Sequence, residues 1–291
     1  RACPFVRQDL EAFTSRLPFS LTPAQLRSVK EAAADLRRAV PMNRLLQGDV
    51  GSGKTVVAAA CAYFAWQNGC QAALMAPTEL LAQQHQRTME TLLAGTGLRV
   101  GLLVGSMTAA QKRDCRAALA AGALDLIVGT HALLSEGVSF RRLGLVITDE
   151  QHRFGVDQRA ALAAKSGEKD RPHVLVMSAT PIPRTLALMI YGDLDLSVID
   201  QLPPGRTPVA TYLIREDKRA RLYAFVRKQV AQGRQVYIVC PAVDQEDPEG
   251  LKAAEQYGRQ LQEEVFPDLR VGIVHGKQKA RDKQGVMAAF A

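Results

Sequence analysis

The chain has 291 residues, 47% hydrophobic and 23% charged, which is the balance of a globular protein of one large or two ordinary domains. Its five scattered cysteines never fall in C-x-x-C spacing, which argues against a disulfide frame or a zinc site, and without an apolar run of 18 residues or a basic-then-apolar leader a soluble, cytoplasmic protein is expected. The 37 basic and 29 acidic residues leave a net charge of +8, which suits a polyanionic partner without demanding one.

Residues 7–15 are expected to form a short lead-in helix, broken by Pro18. A longer helix should begin after Thr22, a good N-cap, with Pro23 as its first residue. It should run to about Val40, with Leu26, Val29, Ala33 and Leu36 on one face. Gln25 lies early in it. Its amide carries a donor and an acceptor and could pair with an adenine edge, although a surface glutamine is the plainer reading.

Arg44-Leu45-Leu46-Gln47 reads as a short buried strand, and Val56 to Trp66 as an Ala-rich buried helix. Between them, Gly48-Asp49-Val50-Gly51-Ser52-Gly53-Lys54-Thr55 fits the pattern G-x-x-x-x-G-K-[ST] at every fixed position. Glycines let the backbone curl so that its N–H groups face phosphate oxygens, and the following helix N-terminus adds partial positive charge. Gly48, Gly51, Ser52, Gly53, Lys54 and Thr55 are therefore expected to bind a nucleotide. Lys54 would reach the outer phosphates, and the Thr55 hydroxyl would hold Mg²⁺. A glycine-rich turn with a chance lysine is the alternative; the strand–loop–helix setting weighs against it.

Strands and helices then alternate. Strands are expected at 72–76, 98–104, 124–128, 143–147 and 173–177, with helices at 80–93, 109–121, near 157–165 and near 183–191. That order implies a parallel sheet with helices on both faces, in which strand C-termini share one ligand-binding edge. Four polar inserts follow strands and should gather beside the phosphate loop. They are Ala76-Pro77-Thr78-Glu79, Gly129-Thr130-His131, Asp149-Glu150-Gln151-His152 and Ser178-Ala179-Thr180-Pro181. Asp149 could hold Mg²⁺ through water, and Glu150, pointing the other way, could polarise the attacking water. Gln151 and His152 could sense the outer phosphate, and Ser178 and Thr180 offer hydroxyls to it. A capping turn before Pro181 competes with the last of these. Thr78 and Thr130 lie toward the other side of the edge, where they could touch a nucleic-acid backbone.

Residues 200–207, Asp-Gln-Leu-Pro-Pro-Gly-Arg-Thr, read as a linker. Beyond it, strands are expected at 209–213, 235–240 and 270–274, with helices at 216–232, 251–265 and 280–290. The fold class expected is α/β, with two parallel-sheet domains in tandem over 1–203 and 204–291. The second is incomplete, because three strands are too few for a typical sheet. The chain opens at Arg1 without Met and stops in a helical pattern, so a fragment of something longer is expected.

Together these blocks resemble a superfamily 2 helicase motor, and more closely the RecG branched-DNA helicase family. The resemblance rests on 19–25 (FSLTPAQ), 47–55 (QGDVGSGKT), 75–82 (MAPTELLA), 128–131 (VGTH), 149–156 (DEQHRFGV), 178–185 (SATPIPRT), 191–194 with 202–206 (YGDL, LPPGR), and 274–276 (VHG). It spans nearly the whole chain. The 149–156 and 182–185 blocks also occur in the transcription-repair coupling translocase, whereas the Pro-Pro-Gly-Arg linker and the Glu-Gln-His box favour RecG.

The resemblance implies two RecA-like lobes, ATP and Mg²⁺ as cofactors, and branched DNA such as stalled forks and four-way junctions as partner. It also implies single-stranded DNA-binding protein as a further partner, and a monomer without membrane association. Phe19 and Gln25 look like nucleotide contacts, with Gln25 the adenine reader. Lys54, Thr55, Asp149 and Glu150 look like the ATPase centre. Gln151, His152, Ser178 and Thr180 resemble residues that couple ATP state to DNA grip. Pro77, Thr78, Gly129 and Thr130 resemble first-lobe DNA contacts, and His275 and Gly276 a second-lobe contact.

Family members also carry an N-terminal wedge domain and later second-lobe motifs with an arginine finger, and this chain has neither. Such an arginine can be worth about 10³–10⁵ in rate, so the chain alone is expected to bind ATP yet hydrolyse it poorly. Two other readings stand beside the helicase. One is the coupling translocase, which would need an RNA-polymerase partner. The other is a non-catalytic nucleotide and nucleic-acid binding module.

Overall fold

The computed structural model describes residues 4–149, 171–180, 194–201, 209–240 and 255–290. The expected helices near 157–165 and 183–191, residues 202–207 of the expected linker, and Glu150, Gln151, His152 and Pro181 lie outside these residues. The chain divides into two compact units, Arg1–Thr207 and Pro208–Ala291.

The first unit is a parallel sheet of seven strands, β1 (Asn43–Gly48), β2 (Gln71–Met75), β3 (Val100–Leu103), β4 (Leu126–Gly129), β5 (Leu143–Asp149), β6 (His173–Ser178) and β7 (Asp195–Ile199). Their spatial order is β3-β4-β2-β5-β6-β1-β7, so the strand that feeds the phosphate loop lies one from the edge. Helices α1 (Leu10–Thr14), α2 (Pro23–Leu36), α3 (Lys54–Gln67), α4 (Glu79–Leu92) and α5 (Ala109–Ala120) flank it. Alternation along the strands sorts the core. Ala72, Leu74, Leu126, Val128, Leu145, Ile147, Leu175 and Met177 share one buried cluster with α2, α3 and α4. Ala73, Met75, Ile127 and Val146 share another with Leu119 of α5. Both faces are covered, which is why the strands read as continuous apolar runs.

Two sequence features set the helices beside the loop. In α3, Val56 to Ala65 are all buried, as expected of a helix apolar on every side, and its alanines let it approach the sheet closely. In α2, Thr22 and Gln25 form a reciprocal capping box and Pro23 occupies the first turn. The buried face of α2 includes Gln25, Ser28 and Asp35 besides Val29 and Leu36, while Leu26 and Ala33 are only partly covered. Asp35 is buried there because it faces Arg44 of β1, a buried arginine. Its guanidinium donates to Asp35 Oδ2 through Nε at 2.8 Å and Nη2 at 2.6 Å, and to Ser197 Oγ at 2.8 Å.

Several expected boundaries shift. The lead-in helix shrinks to α1, started by Asp9, whose carboxylate accepts from Ala12 N at 2.9 Å. Helix α2 ends at Leu36 rather than near Val40. β5 continues through Thr148 to Asp149 rather than stopping at Ile147, because Thr148 and Asp149 stay paired with β6. β7 was not expected at all. It is short and polar in alternation, and Arg44–Ser197 and the pairing with β1 hold it in place.

In the second unit, helices run over Arg219–Ala231, 255–260 with a wider turn at Leu261–Val265, and Ala280–Phe290. The strands expected at 209–213, 235–240 and 270–274 are not paired in any sheet among the described residues. A strand needs neighbours for its hydrogen bonds and its side chains, and here Val209, Leu213 and Val239 are 82%, 99% and 87% exposed. The core of this unit is small, built on Val226, Leu261 and Phe266.

Candidate nucleotide-binding site

The loop between β1 and α3 has the curl that its glycines predict. Gly51 and Gly53 sit at φ +78° and +89°, in the left-handed region that side chains with a Cβ resist. At Gly53 space is lacking as well, since a Cβ would come within 2.2 Å of the Gln25 amide nitrogen. At Gly48 a Cβ would meet Ser52 Oγ at 2.5 Å. Ser52 is fully buried, and its hydroxyl has no hydrogen-bond partner among the described residues. Lys54 opens α3 and folds over the loop, donating from Nζ to the carbonyls of Gly48 at 2.6 Å and Asp49 at 3.0 Å. Thr55 follows it, half-buried.

Both ends of the Gln25 amide are engaged, one in the cap of its own helix and one on this loop. Its Oε1 accepts from Thr22 N at 2.9 Å, and its Nε2 donates to the Ser52 carbonyl at 2.8 Å. The residue is 4% exposed. Phe19, six residues earlier, is 45% exposed and lines an open cleft of about 520 Å³ with Glu11, Thr14 and Leu26.

The strand order divides the four polar inserts into two groups. Ser178 ends β6, which lies against β1, and Ser178 is level with Gln47. Asp149 ends β5, the next strand out, level with Met177. At about 4.8 Å per strand, Asp149 is thus roughly 10 Å from the root of the loop along the sheet edge. The inserts after β2 and β4 lie three and four strands away, roughly 14 and 19 Å, so they line the far half of the edge instead of the loop's own surroundings. In the near group, the Ser178 and Thr180 hydroxyls lie 3.0 Å apart, and Thr180 N donates to Ser178 Oγ. Asp149 is largely buried, and its Oδ2 lies 2.6 Å from His85 Nε2 of α4. No local pattern in the sequence pointed to His85, which reaches Asp149 across 64 residues.

In the far group, the Thr78 hydroxyl caps α4 by accepting from Leu81 N at 3.3 Å, with Pro77 just before it. Thr130 is 2% exposed, and its hydroxyl is without a partner among the described residues. Gly129 has a packing reason, because a Cβ there would meet the Leu103 carbonyl at 2.4 Å and Leu133 Cγ at 2.9 Å. In the second unit, His275 Nε2 lies 3.2 Å from Glu255 Oε1, and Lys283 Nζ donates to the Gly276 carbonyl at 2.8 Å. A Cβ at Gly276 would meet nothing within 4 Å.

Among the described residues, no group of three or more His, Cys, Asp or Glu side chains could hold a metal by itself, and no helix is long and apolar enough to cross a membrane. Cys61, Cys115 and Cys240 are free thiols.

Residues 22–189 match the model of the DEAD/DEAH box helicase family. The chain is 52% identical over 281 residues to the ATP-dependent DNA helicase RecG of Synechocystis sp., covering 97% of this chain and 34% of that one. It is 49% identical over 276 residues to RecG of Escherichia coli O157:H7, covering 94% of this chain and 40% of that one. It therefore spans between a third and two fifths of these relatives' length. Among solved structures, RecG bound to a three-way DNA junction matches with a TM-score of 0.79 at 42% identity, over 97% of this chain and 36% of that one. The DEAD-box helicase Mss116 bound to single-stranded RNA matches with a TM-score of 0.69 at 18% identity, which shows a common fold. The seven-stranded parallel sheet is that of a RecA-like helicase domain, and with the match over 22–189 the chain belongs to the DEAD/DEAH box helicase family.

Proposed function

We propose that this chain is the motor core of an ATP-dependent DNA helicase or translocase that remodels branched DNA, such as stalled forks and four-way junctions, in recombination and repair. The observation that carries the reading is the loop Gly48–Thr55, with two glycines in left-handed conformation and Lys54 folded over it, set two strands from Asp149. The RecG relatives and the RecG structure on a three-way junction support the choice of branched DNA.

In this reading, residues 1–203 form the first lobe and 204–291 part of the second. Backbone N–H groups of the loop and the N-terminus of α3 receive the phosphates. Lys54 leaves the Gly48 and Asp49 carbonyls to meet the outer phosphates. The base lies against exposed Phe19. The donor set near the loop suits Mg²⁺, a hard cation that takes few protein oxygens and keeps phosphates and waters: a hydroxyl from Thr55, a carboxylate from Asp149, and no all-protein cage among the described residues. When bound, Mg²⁺ would neutralise charge developing on the phosphates. Glu150 orients the attacking water, while Gln151, His152, Ser178 and Thr180 relay the state of the outer phosphate. Pro77, Thr78, Gly129 and Thr130 on the far half of the edge, and His275 and Gly276 in the second unit, take the DNA backbone. Single-stranded DNA-binding protein is a further partner, and the chain works as a cytoplasmic monomer.

The test is steady-state ATP hydrolysis with and without a model replication fork, beside Lys54→Ala. Weak, fork-stimulated turnover that the substitution abolishes is the expected outcome. Nucleotide binding without turnover on any DNA would make this chain by itself an incomplete engine, a binding module, and leave its family membership standing. Failure to bind ATP would overturn the site.

A further inference from the structure

Helix α4 buries Ala82, Met89 and Leu92 against the sheet. His85 falls on the same stripe, three residues after Ala82 and four before Met89, where a core helix ordinarily carries an apolar side chain. It is not packed as one. Its Nε2 meets Asp149 Oδ2 at 2.6 Å, and both side chains are only 12% exposed. With Asp149 as a carboxylate, which only accepts, Nε2 is the donor of this contact. The helix that presents His85 is itself anchored at its first turn, where Glu79 Oε1 accepts from Ser106 N at 3.0 Å.

We infer that His85 is a positioning residue for the metal-side carboxylate: by holding Asp149 Oδ2 it sets the orientation in which Asp149 meets the Mg²⁺ of the bound nucleotide. The inference rests on the nucleotide-site reading above. A carboxylate at a strand end has a free χ torsion, and a short hydrogen bond from a largely buried imidazole removes most of that freedom. Partners of this kind, one shell out from a metal, typically change its affinity by about 10- to 100-fold when they are removed. A histidine kept only to satisfy a buried aspartate would contribute to folding and leave metal affinity alone.

The experiment titrates Mg²⁺ against binding of a fluorescent, non-hydrolysable ATP analogue, for the parent protein and for His85→Ala, His85→Gln and Asp149→Asn. A second series is run in EDTA. His85→Ala is expected to raise the Mg²⁺ midpoint about 10- to 100-fold while leaving metal-free binding of the analogue unchanged. His85→Gln, whose amide N–H can still donate, recovers part of the shift, and it serves as the folded variant if His85→Ala does not fold. A midpoint within threefold of the parent in both His85 variants overturns the inference. So does an equal loss of affinity with and without Mg²⁺, which is the signature of a purely structural contact. If Asp149→Asn shifts the midpoint and the His85 variants do not, only this inference fails. If Asp149→Asn is also without effect, the metal role of Asp149 and the site reading fail together.

Discussion

Gln25 separates two roles that its position allows. The resemblance makes it a reader of adenine, yet both ends of its amide are engaged within the protein, on Thr22 N at 2.9 Å and on the Ser52 carbonyl at 2.8 Å. Gln25→Ala removes both bonds and leaves a buried carbonyl of the phosphate loop without its donor. At about 1 kcal/mol net for the one bond that reaches the loop, Gln25 Nε2 to the Ser52 carbonyl, the loop loses about 1 kcal/mol of restraint, or roughly fivefold in affinity if all of it is felt on binding. Because the lost restraint acts on the loop and not on the base, affinities for ATP, GTP and inorganic tripolyphosphate should fall together. Gly53→Ala perturbs the same contact from the other side. It places a Cβ 2.2 Å from the Gln25 nitrogen at a φ of +89°, which costs about 1–2 kcal/mol in the left-handed region before any clash. It should show the same unselective loss. The assay is equilibrium titration of the three ligands by calorimetry. A Gln25→Ala protein that loses ATP affinity while keeping GTP and tripolyphosphate affinity would refute the clamp and assign the amide to the base.

Arg44→Met should destabilise the first unit by about 3 kcal/mol, the low end for breaking a buried pair, because Asp35, whose side chain is 6% exposed, is then left with only the exposed Arg38 at 3.4 Å. Replacing both residues, as Asp35→Leu with Arg44→Met, should recover most of that; urea unfolding of the three variants checks it, and equal losses for single and double variants would sink the argument. Burial pushes the Cys61 thiol up to about 12 from its ordinary 9.0. Native protein at pH 8.5 should therefore label at exposed Cys240 and not at buried Cys61 or Cys70, as mass spectrometry after alkylation would read. The same shift has a sign for stability: the folded value lies above the unfolded one, so the contribution is complete below pH 9 and is lost as pH climbs toward 12, visible as a falling melting temperature in alkaline scans.

Much of the first unit was legible because its physics is local. The run Val56 to Ala65 can only be a buried helix, the Thr22-Pro23-Ala24-Gln25 start is a complete capping signal, and G-x-x-x-x-G-K-T carries its own conformational demand at Gly51 and Gly53. Continuous apolar strands between helices likewise announced a parallel sheet covered on both faces.

What the chain could not declare by itself is everything set by strand order and by partners far apart in sequence. The order β3-β4-β2-β5-β6-β1-β7 keeps Asp149 and Ser178 near the loop and sends the Thr78 and Thr130 inserts to the far half of the edge, though all four look equivalent along the chain. β7 exists because Arg44 reaches Ser197 across 153 residues, and the second unit's apolar segments stay unpaired among the described residues for want of neighbours. His85 acquires its meaning only when α4 is laid over β3 and β4, from where it reaches Asp149 at the end of β5, since a hydrogen bond between side chains 64 residues apart leaves no periodic trace. Periodicity and turn chemistry record what a segment does with its own backbone; which segments meet is decided by the packing of the whole sheet.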